Sequence, residues 1–115
     1  MDLSVALSVL NYVFNTNQVQ IDPLVIEKQV VMARYDALEN KLTNESLSWN
    51  DYINQFSVVI TPTKTYKAAN GAFCREYKEV INNNGEVTSR EGLACREKKD
   101  YWPNKVLVSD YYKQG

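Results

Sequence analysis

The sequence has no histidine. That removes histidine triads, histidine acid–base chemistry and the common histidine metal sites. Only two cysteines occur in 115 residues, and they lack the Cys-x-x-Cys spacing that redox pairs favour. Two thiols are also too few for a thiolate zinc cluster. Four glycines and three prolines leave no glycine-rich loop of the phosphate-cradling kind. No apolar run approaches the length that crosses a bilayer. Neither sign of charge dominates, with 13 basic residues, 14 acidic residues and a formal charge of −1. That balance gives no reason to expect nucleic acid, which usually wants a basic face. The expectations are therefore no cofactor, no metal, no nucleic-acid partner and no transmembrane segment in this chain. At this length one domain is expected over 1–115, with a modest core.

What is present is concentrated between Phe73 and Arg96. Asn84-Gly85 marks a two-residue hairpin turn, because a type I′ turn needs positive φ at both central residues. With the turn there, Cys74 falls directly opposite Cys95. A three-residue loop would set Cys74 against Ala94, and a four-residue loop against Leu93. Counting back from Asn83 and Glu86 makes the cysteines a non-hydrogen-bonded pair. Such Cα atoms lie roughly 4.5 Å apart, within the range a disulfide bridges. In this register Glu79 faces Arg90, Lys78 faces Glu91, and the Tyr77 ring can cover Gly92. The bridge would contribute roughly 3 kcal/mol in the chain-entropy model and implies an oxidising compartment. The alternative is two unrelated buried thiols in a cytosolic protein.

Upstream, Leu3, Leu7, Leu10 and Phe14 recur at helical spacing, with Asp2 placed to cap. Met1 to Asn15 lacks the basic start and small-residue cleavage site of a signal peptide. It reads as a short amphipathic helix covered by the domain or by a second copy, so a homo-oligomer through residues 1–15 is one expectation. Asp22-Pro23 opens a second helix. Its stripe is Leu24, Val31, Tyr35, Leu38 and Leu42, widened by Val30 and Ala37, and it should end near Thr43-Asn44. Glu27, Lys28, Arg34, Asp36, Glu39 and Lys41 read as its solvated face. Ser48–Tyr52 and Phe56–Thr61 read as strands, the second ended by Pro62. Trp102-Pro103-Asn104 turns into a last strand at Lys105–Ser109, and 111–115 reads as a loose tail.

Candidate chemistry is sparse. Glu76, Glu79, Glu91 and Asp100 leave a carboxylate-dependent hydrolase open, against simple pairing with Arg75, Lys78, Arg90 and Arg96. The register makes Arg75 and Arg96 diagonal neighbours, so two guanidinium groups there could take a carboxylate or phosphate. Tyr66, Tyr77, Tyr101 and Trp102 could edge such a face, or complete the core instead.

Several pieces fall in the order of a known family. They are Trp49-Asn50, Val59-Ile60-Thr61-Pro62 with Thr65-Tyr66, then Gly71 to Tyr77 (GAFCREY), Gly85, Gly92 to Arg96 (GLACR) and Trp102. In these the chain resembles the rickettsial-type seventeen-kilodalton surface antigen family over its C-terminal half. The resemblance implies an envelope lipoprotein domain in the periplasm or at the outer membrane, with no catalytic residues. The family's lipid-bearing cysteine and glycine-rich segment have no counterpart in these residues. No signal sequence is evident either, so an envelope address implies one removed upstream. Lys99-Asp100-Tyr101 replaces the family's Asp-Gly turn before the last tryptophan.

The expected fold is α+β. N-terminal helices over 1–44 pack on an antiparallel sheet of about four strands over 48–109, with a long disulfide-closed hairpin. The expected function is a non-enzymatic cell-envelope domain, structural or binding an envelope protein. The alternative is a secreted inhibitor or small-ligand module using the arginine and aromatic face.

The bridge has a direct test. Intact mass with alkylation should change only after reduction; labelling of both thiols without reductant would refute it.

Overall fold

A computed structural model describes residues 23–108. The helix expected over 1–15, the Asp22 cap and the 111–115 tail lie outside the described residues. Among the described residues one helix, α1 (Pro23–Asn40), precedes five strands: β1 (Leu47–Asp51), β2 (Phe56–Lys67), β3 (Phe73–Asn83), β4 (Glu86–Cys95) and β5 (Asn104–Val108). The strands form one antiparallel sheet in sequence order. The fold is α+β, with five strands where about four were expected. The short edge strand β1 pairs with β2 along its whole length.

The central hairpin has the register read from the sequence. Cys74 pairs with Cys95, Tyr77 with Gly92, Lys78 with Glu91, and Glu79 with Arg90. Asn84 and Gly85 make the turn with φ of 57° and 91°. That register sends Arg75, Tyr77, Glu79 and Ile81 toward the helix, where all four are buried. Phe56, Val58, Ile60 and Pro62 of β2 join them, and Val30, Ala33, Ala37 and Leu38 close the core from α1. Small Ala33 and Ala37 let the helix approach the bulky Tyr77 and Phe56.

Four local expectations are corrected. The helix does not bury Leu24 or Leu42, which are exposed. Its covered stripe is Val30, Ala33, Arg34, Ala37 and Leu38, a rotation toward the alanines. It stops at Asn40, short of Thr43. Asn40 Nδ2 bonds the Asp36 carboxylate at 2.7 Å and the Asp36 carbonyl at 3.2 Å. Pro62 does not end its strand; β2 runs to Lys67 with a bulge between Pro62 and Lys64. The Pro62 carbonyl accepts from Asn44 N at 2.7 Å, on the side where β1 has already stopped. The missing proline N–H points that same way, so no ladder bond to β3 is lost.

Finally, Arg34 and Glu39 are not solvated surface. Glu79 is fully buried, and an inward carboxylate needs partners. Arg34 Nε donates to Glu79 Oε2, and its Nη2 reaches Oε1 at 3.2 Å. Arg90 Nη2 lies 3.0 Å from Glu79 Oε1, and its Nη1 donates to Glu27 at 3.2 Å. Helix and sheet are thus joined by a buried charge network as well as by apolar contact. Removing one partner from such a network costs about 3–5 kcal/mol.

Gly92 lies beneath the Tyr77 ring. A Cβ there would come within 2.9 Å of Tyr77 Cε2 and closer still to its Cζ and Oη. Gly92→Ala should therefore destabilise the protein by about 1–3 kcal/mol, measured by urea unfolding. An unchanged midpoint would show that the ring does not need that space.

Candidate functional site

The disulfide end of the sheet gathers the residues singled out in the sequence. Cys74 and Cys95 are bridged, with S–S 2.05 Å and Cα atoms 4.0 Å apart. Arg75 and Arg96 share the helix-side face, as the register requires, but their guanidinium groups go to different places. Arg75 is 7 % exposed. Its Nη1 donates to the Leu38 and Lys41 carbonyls at 2.8 and 2.7 Å, and its Nε to Thr65 Oγ1 at 2.8 Å. It satisfies carbonyls that the helix C-terminus leaves without partners. Burial draws its pKa down from the usual arginine value.

Arg96 Nε donates to Glu39 Oε1 at 3.1 Å. The same oxygen accepts from Trp102 Nε1 at 2.8 Å and from Asp100 N at 2.9 Å. Three donors, Arg96 foremost, hold the Glu39 carboxyl down to about 2. This one acid ties the helix to the loop before β5. In that loop Asp100 takes φ of 63°, and Lys98 bridges to Tyr101. The substituted turn thus still visits the left-handed region, where aspartate is tolerated better than most residues.

Tyr77 is 1 % and Trp102 3 % exposed. The Tyr77 hydroxyl donates to Asn104 Oδ1 at 2.5 Å. Burial pushes its pKa up to about 12, and the Arg34 guanidinium lies 5.2 Å from its ring centroid. Tyr101 is half-exposed and meets Tyr35 edge to face at 5.7 Å. Of the residues named for a binding face, Arg75, Tyr77 and Trp102 are interior. Arg96 and Tyr101 reach solvent. The carboxylates do not converge either: Glu79 lies inside with its arginines, and Glu76 faces away from the helix.

Beside the bridge is a hollow of about 420 Å³, lined in part by Asn70, Cys74, Cys95, Arg96, Glu97 and Lys105. Lys67 stands over the Phe73 ring, and Lys98 stands over Tyr101. Two cations, Arg96 and Lys105, line this hollow beside one acid, Glu97, and such a pair can take an anionic group from a partner. Sequence reasoning missed Glu39, Arg34 and Lys105. For Arg34 a signal existed: the alternation that buries Tyr77 and Ile81 also buries Glu79, which then needs a cation from the helix. For Glu39 and Lys105 no local signal existed.

Comparison with known proteins places these observations. The family described as "17 kDa outer membrane surface antigen" matches residues 36–103. The 17 kDa surface antigen of Rickettsia prowazekii (strain Madrid E) is 32% identical over 66 residues, covering 57% of this chain and 42% of that protein. Its counterpart in Rickettsia felis is 33% identical over the same share of each, 57% and 42%. That of Rickettsia australis is 34% identical over 61 residues, covering 53% of this chain and 40% of the relative. The chain thus spans less than half the length of these relatives. No solved structure matches.

The Glu39 cluster has a pH signature. Its folded pKa is about 2, below the ordinary 4.5. Its stabilisation is therefore fully present above about pH 4.5 and is lost as pH falls toward 2. Glu39→Gln should be less stable than the parent at neutral pH, with the gap closing across that window. A gap in urea midpoint that stays constant down to pH 2 would refute the role.

Proposed function

The chain belongs to the family of the 17 kDa outer membrane surface antigen, and on that premise we propose that it is a non-enzymatic cell-envelope domain that binds another envelope protein. The address is the periplasm or the outer-membrane surface, which suits a bridged hairpin. The observation that carries the reading is where the charged side chains go. Arg34, Arg75, Arg90, Glu39 and Glu79 are spent on joining helix to sheet. At the disulfide end Arg96, which also holds Glu39, and Lys105 line a hollow together with Glu97, and Lys67 at the end of β2 and Lys98 over the Tyr101 ring add cations nearby in the chain. Those cations and the Tyr101 ring are able to meet an acidic segment of a partner by charge complementarity. The narrower alternative, a secreted module binding a small carboxylate, would use Arg96 and Lys105 of the same hollow.

The apolar spacing over 1–15 adds a second element to the proposal: self-association through that segment. Light scattering of the chain with and without residues 1–15 should show an oligomer reverting to monomer. Monomers in both cases would end it.

For the partner surface, a photo-crosslinking residue at Lys105 in living cells should trap one defined envelope protein, and at Lys78 should not. Arg96→Ala should weaken the trap several-fold while intact mass still reports the bridge. Equal trapping at both positions, or none at either, would contradict the proposed surface. Arg75 is unsuited to this test because its loss would also uncap the helix.

A further inference from the structure

The opposite end of the sheet carries a second hollow, of about 300 Å³. Its floor is a level row across three strands: Asn50 pairs with Ser57, and Ser57 with Asn82. The row lies on the face away from α1, since the neighbouring Phe56 and Val58 pack toward the helix. Adjacent strands space these side chains roughly 4.8 Å apart, the scale of a sugar ring. Among the described residues, the Asn50 amide and Ser57 hydroxyl make no side-chain hydrogen bond. Asn82 uses its Oδ1 to accept from Gly85 N at 2.8 Å, which leaves its NH₂ for another acceptor.

Charge narrows the ligand class. Among the described residues Asp51 is the one charged residue in the lining, and Asn54 holds both its oxygens, at 3.2 and 2.8 Å. A phosphate or polyanion would find no cation here. An apolar small molecule would meet the Tyr52 ring but would also strip water from the Asn50 and Asn82 amides and the Ser57 hydroxyl without replacing it.

One lip of the hollow is the turn between β1 and β2. Tyr52 on it is 84 % exposed and Ile53 beside it 93 %. Turn positions ordinarily carry glycine, asparagine, aspartate or serine. Neither side chain contributes burial to the fold. The turn is nevertheless fixed, because Asn84 N donates to Gln55 O at 2.7 Å and braces it on the β3–β4 bend. An aromatic ring held on a fixed backbone binds with less ordering cost than one on a loose loop.

We propose that this hollow binds a neutral oligosaccharide. The Tyr52 ring packs on the C–H face of one sugar, and Asn50, Ser57 and Asn82 exchange hydrogen bonds with its hydroxyls. The site stands apart from the disulfide-end surface and does not depend on it.

The test is a ¹⁵N NMR titration of the chain with chitotetraose and, separately, with cellotetraose. At least one should give saturable shifts confined to backbone amides of 50–57 and 82–86. Tyr52→Ala, an exposed turn change checked by an otherwise unchanged spectrum, should weaken binding by about tenfold. Lys105→Glu, at the far end, should leave it unchanged. No saturable shift from either sugar up to about 10 mM would overturn the proposal. So would equal binding by Tyr52→Ala. Shifts at Tyr52 and Ile53 that appear with phosphatidylcholine vesicles and not with sugars would also overturn it, and would make this end a bilayer contact.

Discussion

The two-residue bend at Asn84-Gly85 decides which way every side chain of β3 and β4 points. A bend one residue longer would slip the pairing and turn Cys74 away from Cys95. It would also slide Tyr77 off Gly92, the one position in β4 with room for its ring. The sulfur bridge and the ring-over-glycine contact therefore report the same register from two points along the ladder. The charge pair of Glu79 with Arg90 is a third.

With the register set, polar groups do much of the joining between layers. Arg75 reaches from β3 to the carbonyls at the end of α1. Glu39 reaches back from α1 to Arg96, Asp100 and Trp102. Glu79 sits between Arg34 of the helix and Arg90 of β4. The helix is amphipathic only in a loose sense, since its covered stripe includes an arginine. A purely apolar seam could slide or rotate. Paired charges at fixed points favour one helix position relative to the strands, because any other would leave a buried charge without its partner. The motif arginines next to each cysteine thus serve a structural purpose at Arg75 and a shared one at Arg96.

The sheet was largely legible in the sequence because its signals are local. Asn84-Gly85, the cysteine pair and the alternation in Glu79–Arg90 all lie within one hairpin. The helix was legible as a helix and misread in its facing. Val30, Ala37 and Leu38 are buried as expected, but Leu24 and Leu42 carried more apolar weight than Ala33, which is buried because a small residue permits close approach. Pro62 was misread because a strand's tolerance for proline depends on where its neighbour stops, and that lies in tertiary structure. The hollow beside the bridge was half legible. Arg96 was visible beside Cys95, but Lys105 joins it only through the placement of β5. Tyr52 and Ile53 were passed over because exposure of a turn residue has no sequence signature.

The most direct test separates the bend from the bridge. In a Cys74→Ser/Cys95→Ser double variant, cross-strand NMR contacts between residues 74 and 95, and between Tyr77 and Gly92, should persist in the parent pairing. The variant should be less stable but in the same register. Contacts displaced by one residue, or averaged among several pairings, would mean that the sulfurs rather than the Asn84-Gly85 bend align the hairpin.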